Sequence, residues 1–286
     1  TDAAGLREAP RPGPGRELVL LCEQDGRRAA LELLARSRVH HLVPIDDGLE
    51  AWLAILMRRL ARPALCTGLG AQLGAAEGTQ RQLGSADDKG RALEELGALA
   101  SQVLRHAMLG DLLVAAVDEM CINALYRAGS GVGAPTRLEW ALDDDWLGVA
   151  VRDGAGALGA GDIFMGLALA LAHEQGGLPP GARSAALGFR VMLGGLSALS
   201  IDVDRGRATE VVGVLSRRCT LGEHRRRAPA FSLLSRCPRA LFMCSSFALS
   251  HERAWGQSMT AGLRPAPSGA LLLQRGGRAQ GQTRVG

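Results

Sequence analysis

A carboxylate and a carboxamide lie four residues apart within a largely apolar stretch, at Glu119 and Asn123. Residues at positions i and i+4 share one face of a helix, so the two side chains are expected to point the same way. Oxygen ligands of this kind can hold a hydrated Mg²⁺ ion and, beside it, a nucleotide phosphate. The same pair also fits the polar stripe of an amphipathic helix, and the spacing alone does not decide between the two interpretations.

The composition indicates a globular protein with a core of aliphatic side chains. Of 286 residues, 47% are hydrophobic but only 3% are aromatic, so Leu, Val, Ala and Ile must fill the interior. Residues 217–286 contain 12 Arg and two acidic residues, whereas residues 1–216 contain 21 basic and 27 acidic residues. Because this larger part is acidic, the net charge of +4 does not predict specific nucleic-acid binding by the folded part.

The cysteines argue against a zinc protein, and the apolar runs argue against a membrane-spanning protein. The six Cys form no Cys-x-x-Cys pair and no His lies at zinc-ligand spacing from them, so no zinc site is expected. The longest apolar run, residues 163–172, is shorter than the roughly 20 residues that span a membrane. The first residues are polar and proline-rich, unlike a secretory signal, so the expected compartment is the reducing cytoplasm.

Composition and periodicity divide the chain into five parts. We expect a flexible leader at residues 1–16, an α/β segment at 17–66, a linker at 67–85, a main domain at 86–216 and a basic, disordered tail at 217–286. In the α/β segment, apolar runs at 17–22 and 39–45 predict two strands, and helical sequence follows each of them, at 26–37 and 47–61. This β-α-β-α order is typical of a parallel α/β layer.

The main domain is expected to alternate helices with strand pairs. Two helices, a hairpin, two more helices and a second strand pair are predicted at residues 86–106, 111–127, 136–142, 146–152, 163–174, 185–193, 196–203 and 209–215. Ser85 is the expected N-cap of the first helix, with Asp88 at its third position. Gly110 is expected to separate the first two helices.

Further groups in this series could contact a ligand. Asp153 ends the second strand of the hairpin, and Gly154 and Gly156 follow it. Gly188 lies near the start of the last predicted helix. Thr209 begins the last strand. A plain turn capped by Asp153 is the alternative interpretation of the first of these motifs.

The order of these motifs resembles the nucleotide-binding domain of the gyrase, histidine-kinase and MutL (GHKL) type of ATPase. Within that superfamily it looks most like the anti-sigma-factor serine kinases, and the resemblance covers roughly residues 86–216. The resemblance implies that Asn123 holds Mg²⁺ and that Glu119 acts as general base, polarising the attacking hydroxyl or water. ATP and Mg²⁺ are the cofactors that it implies.

The resemblance also assigns roles to the later motifs. Asp153 would accept a hydrogen bond from the adenine amino group, and Gly156 and Gly188 would contact the nucleotide through their backbone. Thr209 matches the threonine that begins the family's last strand. Several of the family's glycines are replaced in this sequence, at Ala155, Ala157, Ser184, Ala186 and Ala208. A Cβ atom at such a position can block close approach of the backbone to a phosphate.

The expected fold is an α/β two-layer sandwich of the Bergerat type, preceded by the short α/β segment. Its sheet would be mixed, mainly antiparallel and covered by helices on one face. The preceding segment faintly resembles the start of a phospho-acceptor receiver domain, because Gln24 and Asp25 occupy the place of its acidic metal-binding pair. A plain α/β extension fits that segment equally well.

The resemblance implies an ATP-binding regulatory protein of bacterial signal transduction, similar to anti-sigma-factor serine/threonine kinases. The replaced glycines favour an alternative, a non-catalytic pseudo-ATPase that serves as a protein-interaction module in a two-component-like pathway. The expected partner is a regulatory protein of the anti-anti-sigma or sigma-factor type that offers a serine. A homodimer is a further candidate assembly, and neither a membrane nor a specific nucleic acid is an expected partner.

Overall fold

The computed structural model describes residues 16–22, 32, 34–35, 39–61, 64–73, 78–127, 135–174, 183–236, 268–274 and 284–285. The predicted leader, apart from residue 16, and most of the helix predicted at 26–37 lie outside the described residues. The receiver-like pair Gln24 and Asp25 lies outside them as well.

The described residues form one mixed sheet of ten strands. The strands are β1 (Arg16–Cys22), β2 (His41–Pro44), β3 (Gly78–Leu83), β4 (Thr136–Leu142), β5 (Trp146–Asp153), β6 (Ala198–Asp204), β7 (Ala208–Ser216), β8 (Ala230–Arg236), β9 (Ser268–Gln274) and β10 (Arg284–Val285). Their order across the sheet is β10-β9-β1-β2-β8-β6-β7-β5-β4-β3. β1 pairs in parallel with β2 and β6 with β8, while the remaining neighbours are antiparallel.

Helices cover both faces of this sheet. They are α1 (Leu49–Leu60), α2 (Leu69–Leu73), α3 (Ala86–Val103), α4 (Ala107–Ile122), α5 (Ala160–Glu174), α6 (Arg183–Gly195) and α7 (Leu221–Arg226). The face covered by α3 to α6 is called the four-helix face below, and the face covered by α1 and α2 is called the two-helix face. The protein is therefore an α/β protein with a mixed sheet.

The sequence led us to expect helices on one face only, and the two-helix face differs from that expectation. Its strands contribute small residues, including Ala141, Ala150 and Ala198, and these pack against α1 and α2. Gly148 lies there too, and a Cβ atom on it would collide with the Leu73 side chain. Short side chains bring the helices close to the sheet, but in the sequence they give only a weak signal of burial.

The first two helices of the main domain break at a different place than predicted. Ser85 caps α3 as expected, because its hydroxyl accepts a hydrogen bond of 3.1 Å from the Asp88 backbone N–H. α3 ends where Leu104 becomes extended, and α4 begins after His106, whose side chain accepts from the Met108 N–H. Gly110, the predicted separator, is buried within α4 facing Ala100, so it serves helix packing instead.

The predicted linker at 67–85 belongs to the fold. It contains α2 and β3, and β3 pairs along its whole length with β4. β3 is an edge strand with mostly exposed polar residues, so it lacks the alternation that marks a half-buried strand. No helix in the described part of the chain is long and apolar enough to cross a membrane.

Residues 217–236, which the sequence assigned to a disordered tail, also form regular structure. Thr220 and Glu223 make a capping box at the start of α7, with mutual side-chain-to-backbone hydrogen bonds. β8 then enters the sheet between β2 and β6, where its apolar residues Phe231 and Leu233 are buried. Through β8, the sheet of the N-terminal segment is continuous with that of the main domain.

Candidate functional site

Helix α4 positions Glu119 and Asn123 at its C-terminal end. Regular α-helix ends at Ile122, and residues Asn123–Arg127 form a π-helical turn. The Asn123 backbone N–H donates to the carbonyl groups of both Glu119 and Met120. Turns of this type insert a residue into a helix and occur often at functional sites. The pair selected from the sequence thus lies where the helix departs from regular geometry.

The Asn123 side chain carries a buried oxygen that does not accept a hydrogen bond from any described residue. Its Oδ1 atom finds no hydrogen-bond partner among the described residues. Leaving a buried polar group in this state costs about 1–3 kcal/mol, so a group that supplies a partner would be stabilising. A metal ion with its bound water, or the water alone, is such a group.

Glu119 lies against the last helix of the domain. A Cβ atom placed on Gly188 would lie 2.9 Å from the Glu119 Oε2 atom, which is closer than real Cβ contacts. The absence of a side chain at Gly188 therefore leaves room for the Glu119 carboxylate between α4 and α6. This explains the glycine through packing, whereas the sequence assigned it a contact with the nucleotide.

Asp153 and Thr209 are direct neighbours on adjacent strands. They are paired in the antiparallel register of β5 and β7. Residues two apart on a strand share a face, so both side chains point with Val151 and Val211 to the four-helix face. Both are buried, and the Thr209 Oγ1 atom, in a residue only 1% exposed, lacks a hydrogen-bond partner within the described ranges.

The loop after Asp153 is a capped turn that packs on the second hairpin. Asp153 Oδ1 accepts hydrogen bonds from the backbone N–H groups of Ala155 at 2.8 Å and Gly156 at 2.9 Å. Gly156 has a φ of 55°, and a Cβ atom on it would collide with backbone atoms of the β6–β7 turn, including Asp204 O. In this structure Gly156 faces its own chain, so its predicted contact with a nucleotide would require that turn to move.

The predicted residues therefore form two groups. Glu119 lies beside Gly188, and Asp153 lies beside Thr209 and Gly156. The π-helical turn that begins with Asn123 packs against β5, the strand that ends at Asp153. Oxygen atoms of a carboxylate, an amide and a hydroxyl thus lie on elements in mutual contact, and this set of donors suits a hard cation and a nucleotide.

The two-helix face carries a polar cluster that the sequence analysis missed. Arg152, Glu210 and Asp202 are paired in register on the adjacent strands β5, β7 and β6. Glu210 is 1% exposed and Asp202 is 5% exposed, and Arg59 of α1 forms a buried ion pair with Asp202. The sequence led us to expect helices on one face of the sheet only, so these strand positions were expected to face solvent and their burial was not foreseen.

The loop between α1 and α2 docks on this cluster through its backbone. The Cys66 N–H donates to Asp202 Oδ2 at 3.2 Å, and the Gly68 N–H donates to the Glu210 carboxylate at 3.0 and 3.1 Å. Arg152 donates in return to the Cys66 carbonyl at 2.8 Å. Cys66 has a φ of 55°, a left-handed conformation that is costly for a residue with a Cβ atom. The carboxylates thus hold a strained loop in place.

Burial raises the pKa of Glu210 to about 7. The neighbouring carboxylates of Asp202 and Glu139 also raise this pKa, while the Gly68 N–H and the Arg152 guanidinium oppose the shift. An unfolded Glu has a pKa of about 4.3, so the folded state binds the proton more tightly. The stability associated with this proton is fully present below about pH 4.3 and is lost as the pH rises through about 7.

Glu210→Gln is expected to remove this pH dependence. The wild-type protein should lose about 3 kcal/mol of unfolding free energy through Glu210 between pH 4 and pH 8, because each pKa unit corresponds to about 1.4 kcal/mol. Urea unfolding at several pH values measures the slope in both proteins. Glu94→Gln, at an exposed position on α3, is the matched control and should keep the wild-type slope. If the unfolding free energy changes equally with pH in the wild type and in Glu210→Gln, Glu210 is not the source of the pH dependence.

A second polar group on the two-helix face lies around the buried His41. Its Nδ1 atom is 2.9 Å from Ser232 Oγ, and its Nε2 atom is 3.5 Å from Glu17 Oε2. Burial lowers the pKa of His41, which favours the neutral imidazole. The sequence showed no local serine–histidine–carboxylate signature, because His41 and Ser232 are 191 residues apart and meet only through the pairing of β2 with β8.

The fold and its buried clusters place the protein in the α/β class. The chain is an α/β protein whose mixed sheet carries buried polar clusters on both faces. No protein-family model matches the chain, and the curated proteins contain no significant match to it.

Proposed function

We propose that this protein binds ATP with Mg²⁺ on the four-helix face and acts as a regulatory protein of bacterial signal transduction, in the manner of anti-sigma-factor serine/threonine kinases. The order of helices and hairpins in residues 86–216 supports a Bergerat-like interpretation of this part of the fold. The residues chosen from the sequence resemblance fall on elements that contact one another, which also favours the proposal.

The observation that carries the proposal is the Thr209 hydroxyl. It is buried beside Asp153 and finds no partner among the residues that the structure describes. Buried hydroxyls are nearly always hydrogen-bonded, so an exception calls for an explanation. A nucleotide base edge, or a water molecule that bridges to it, would supply the missing partner and would at the same time meet the Asp153 carboxylate.

The remaining residues have roles that follow from their chemistry. Asn123 Oδ1 would be a ligand of Mg²⁺, which prefers oxygen atoms and retains several of its waters. Bound Mg²⁺ would neutralise charge on the nucleotide phosphates. Glu119 would accept the proton of a serine hydroxyl offered by a partner protein, and its position beside Gly188 holds the carboxylate between α4 and α6.

Thr209→Val tests whether the buried Thr209 hydroxyl binds the nucleotide, because it removes the hydroxyl while keeping the shape of the side chain. The free energy of unfolding without nucleotide is expected to rise by about 1 kcal/mol, since an unsatisfied buried group disappears. The stabilisation by Mg-ATP, about 2.7 kcal/mol at one hundred times Kd in the wild type, is expected to fall by at least half. Chemical denaturation with and without Mg-ATP measures both changes.

The opposite signs of the two changes distinguish binding from a structural role. Thr79→Val on the edge strand β3 is the control, and it should change both quantities by less than about 0.5 kcal/mol. If Thr209→Val lowers the stability of the protein without nucleotide and leaves the Mg-ATP effect intact, the hydroxyl serves the fold and the proposal loses its main support.

A second candidate function is a non-catalytic interaction module. The space in front of Gly156 and Gly188 is filled by the chain itself, and the family's other glycines are replaced at Ala155 and Ala186. Such a pseudo-ATPase would bind its regulatory partner equally well with and without nucleotide. Mg-ATP would neither stabilise it nor be consumed when a serine-bearing partner is added, which separates the two functions.

A further inference from the structure

Residues 64–68, called the strap below, lie between α1 and α2 and cross the polar cluster on the two-helix face. Two backbone N–H groups of the strap donate to carboxylates of the sheet, that of Cys66 to Asp202 and that of Gly68 to Glu210. These two carboxylates belong to adjacent strands, β6 and β7, and are paired in register. Carboxylate oxygens therefore hold the strap on the sheet.

The strap has little intrinsic preference for this docked conformation. Cys66 has a left-handed φ of 55°, which strains a residue that carries a Cβ atom, and it is the one buried residue of the strap. The helix that follows, α2, has only five residues, far fewer than an isolated helix needs to be stable in water. Segments with few buried apolar side chains open locally before the whole fold does, so docking depends on the cluster beneath.

The cluster beneath the strap contains more acidic than basic side chains. The groups around Glu210 that carry or can acquire charge are Asp202 on β6, Arg152 on β5, Glu139 on β4, Arg59 on α1 and the Cys66 thiol of the strap. When every acid is ionised, three carboxylates face two guanidinium groups. Asp202 is paired with Arg59, whereas Glu210 accepts from the uncharged Gly68 N–H. A proton on Glu210 therefore removes the excess negative charge from the buried cluster.

We propose that the strap is a proton-controlled closure of this cluster, docked while Glu210 carries a proton and released when Glu210 ionises. In the docked state Glu210 is 1% exposed, and this burial raises its pKa to about 7. Once the strap lifts, water reaches the carboxylate and the pKa returns toward its ordinary value of about 4.3.

The direction of the pH effect follows from these two states. Docking takes up a proton, so it is fully favoured below about pH 4.3 and weakens as the pH rises through about 7. Release of the strap uncovers the Cys66 thiol, which lies against the carbonyl groups of Asp202 and Ala208 when docked. Asp153 and Thr209 lie on the opposite face of the sheet, so the release is independent of the proposed nucleotide site.

Labelling of Cys66 with iodoacetamide measures this release, because the docked residue is only 4% exposed. Peptide mass spectrometry follows Cys66 and Cys121 in the same sample. Each rate is divided by the rate of the urea-unfolded chain at the same pH, which removes the effect of thiol ionisation. The normalised Cys66 rate is expected to rise about tenfold from pH 6 to pH 8, the ratio that a pKa of about 7 in the docked state gives.

Cys121 distinguishes release of the strap from unfolding of the whole protein, because it is fully buried on the four-helix face. At both pH values its normalised rate is expected to be at least about tenfold below that of Cys66. Equal normalised rates at the two cysteines would show that Cys66 reacts only through global unfolding, and the proposal would then be wrong.

Glu210→Gln shows whether Glu210 is the titrating group, since glutamine keeps an oxygen for the Gly68 N–H but cannot ionise. Its normalised Cys66 rate should stay near the wild-type value at pH 6 and change less than about twofold up to pH 8. Glu50→Gln, at an exposed position on α1, should keep the tenfold rise. A wild-type rate that does not change with pH, or a tenfold rise that persists in Glu210→Gln, would overturn the proposal.

Discussion

Replacing Arg59 by methionine is expected to lower the free energy of unfolding by about 3–5 kcal/mol. The guanidinium is buried against the Asp202 carboxylate, and methionine fills a similar space without the charge. Asp202 would then be a buried anion without its cation, and the cost of that arrangement exceeds the loss of a single hydrogen bond. Urea denaturation at pH 7 measures the change directly.

A double variant shows whether the lost charge pair is the cause. Adding Asp202→Asn to Arg59→Met removes the remaining charge but keeps an oxygen that can accept from the Cys66 N–H. The double variant is expected to recover about 1–3 kcal/mol relative to the sum of the two single changes. The neighbouring exposed Arg58→Met should cost less than about 0.5 kcal/mol. Equal losses at positions 58 and 59 would contradict the ion-pair explanation.

Asn123→Ala is expected to weaken Mg-ATP binding by at least about tenfold and to remove the dependence of that binding on Mg²⁺. The amide oxygen is the proposed protein ligand of the metal, and the loss of one such ligand costs about 1.4 kcal/mol or more. The stability of the protein without nucleotide should change by less than about 1 kcal/mol. The reason is that Oδ1 makes no hydrogen bond to any residue that the structure describes.

The control for this variant is Asp111→Ala, at an exposed position near the start of the same helix. It should leave ATP affinity and its Mg²⁺ dependence unchanged, since it removes a carboxylate from α4 far along the helix from Asn123. If Asn123→Ala unfolds the protein, the side chain has a structural role at the π-helical turn. In that case, the interpretation of Glu119 and Asn123 as a polar stripe gains support.

The sequence predicted those elements that carry strong local signals. The hairpin of β4 and β5 was visible through alternation over seven or eight residues on each side of the turn. Ser85 was identified as a helix cap because the capping interaction is formed within four residues. The break between α3 and α4 was predicted at the wrong residue. Glycine is typical of loops, but Gly110 lies inside a helix, where its small size serves packing.

The polar clusters show where sequence reasoning fails. Asp153 and Thr209 were chosen through a resemblance, and their pairing in register follows only from the sheet. Asp202 and Glu210 were not chosen at all, because helices were expected on one face of the sheet only and these residues lie on the other. His41 was not chosen because its partner Ser232 is 191 residues away in the sequence. Their burial depends on α1, α2 and β8, which reach the central sheet from distant parts of the chain.

Isothermal titration calorimetry of the wild-type protein with ATP, in the presence of Mg²⁺ and again in EDTA, tests the central claim most directly. If the protein binds ATP through Mg²⁺, saturable binding at a single site is expected with Mg²⁺, and binding at least about tenfold weaker is expected in EDTA. Failure of the folded protein to bind Mg-ATP at millimolar concentration would contradict it. The buried Thr209 and Asn123 oxygens would then belong to a scaffold that serves protein interaction alone.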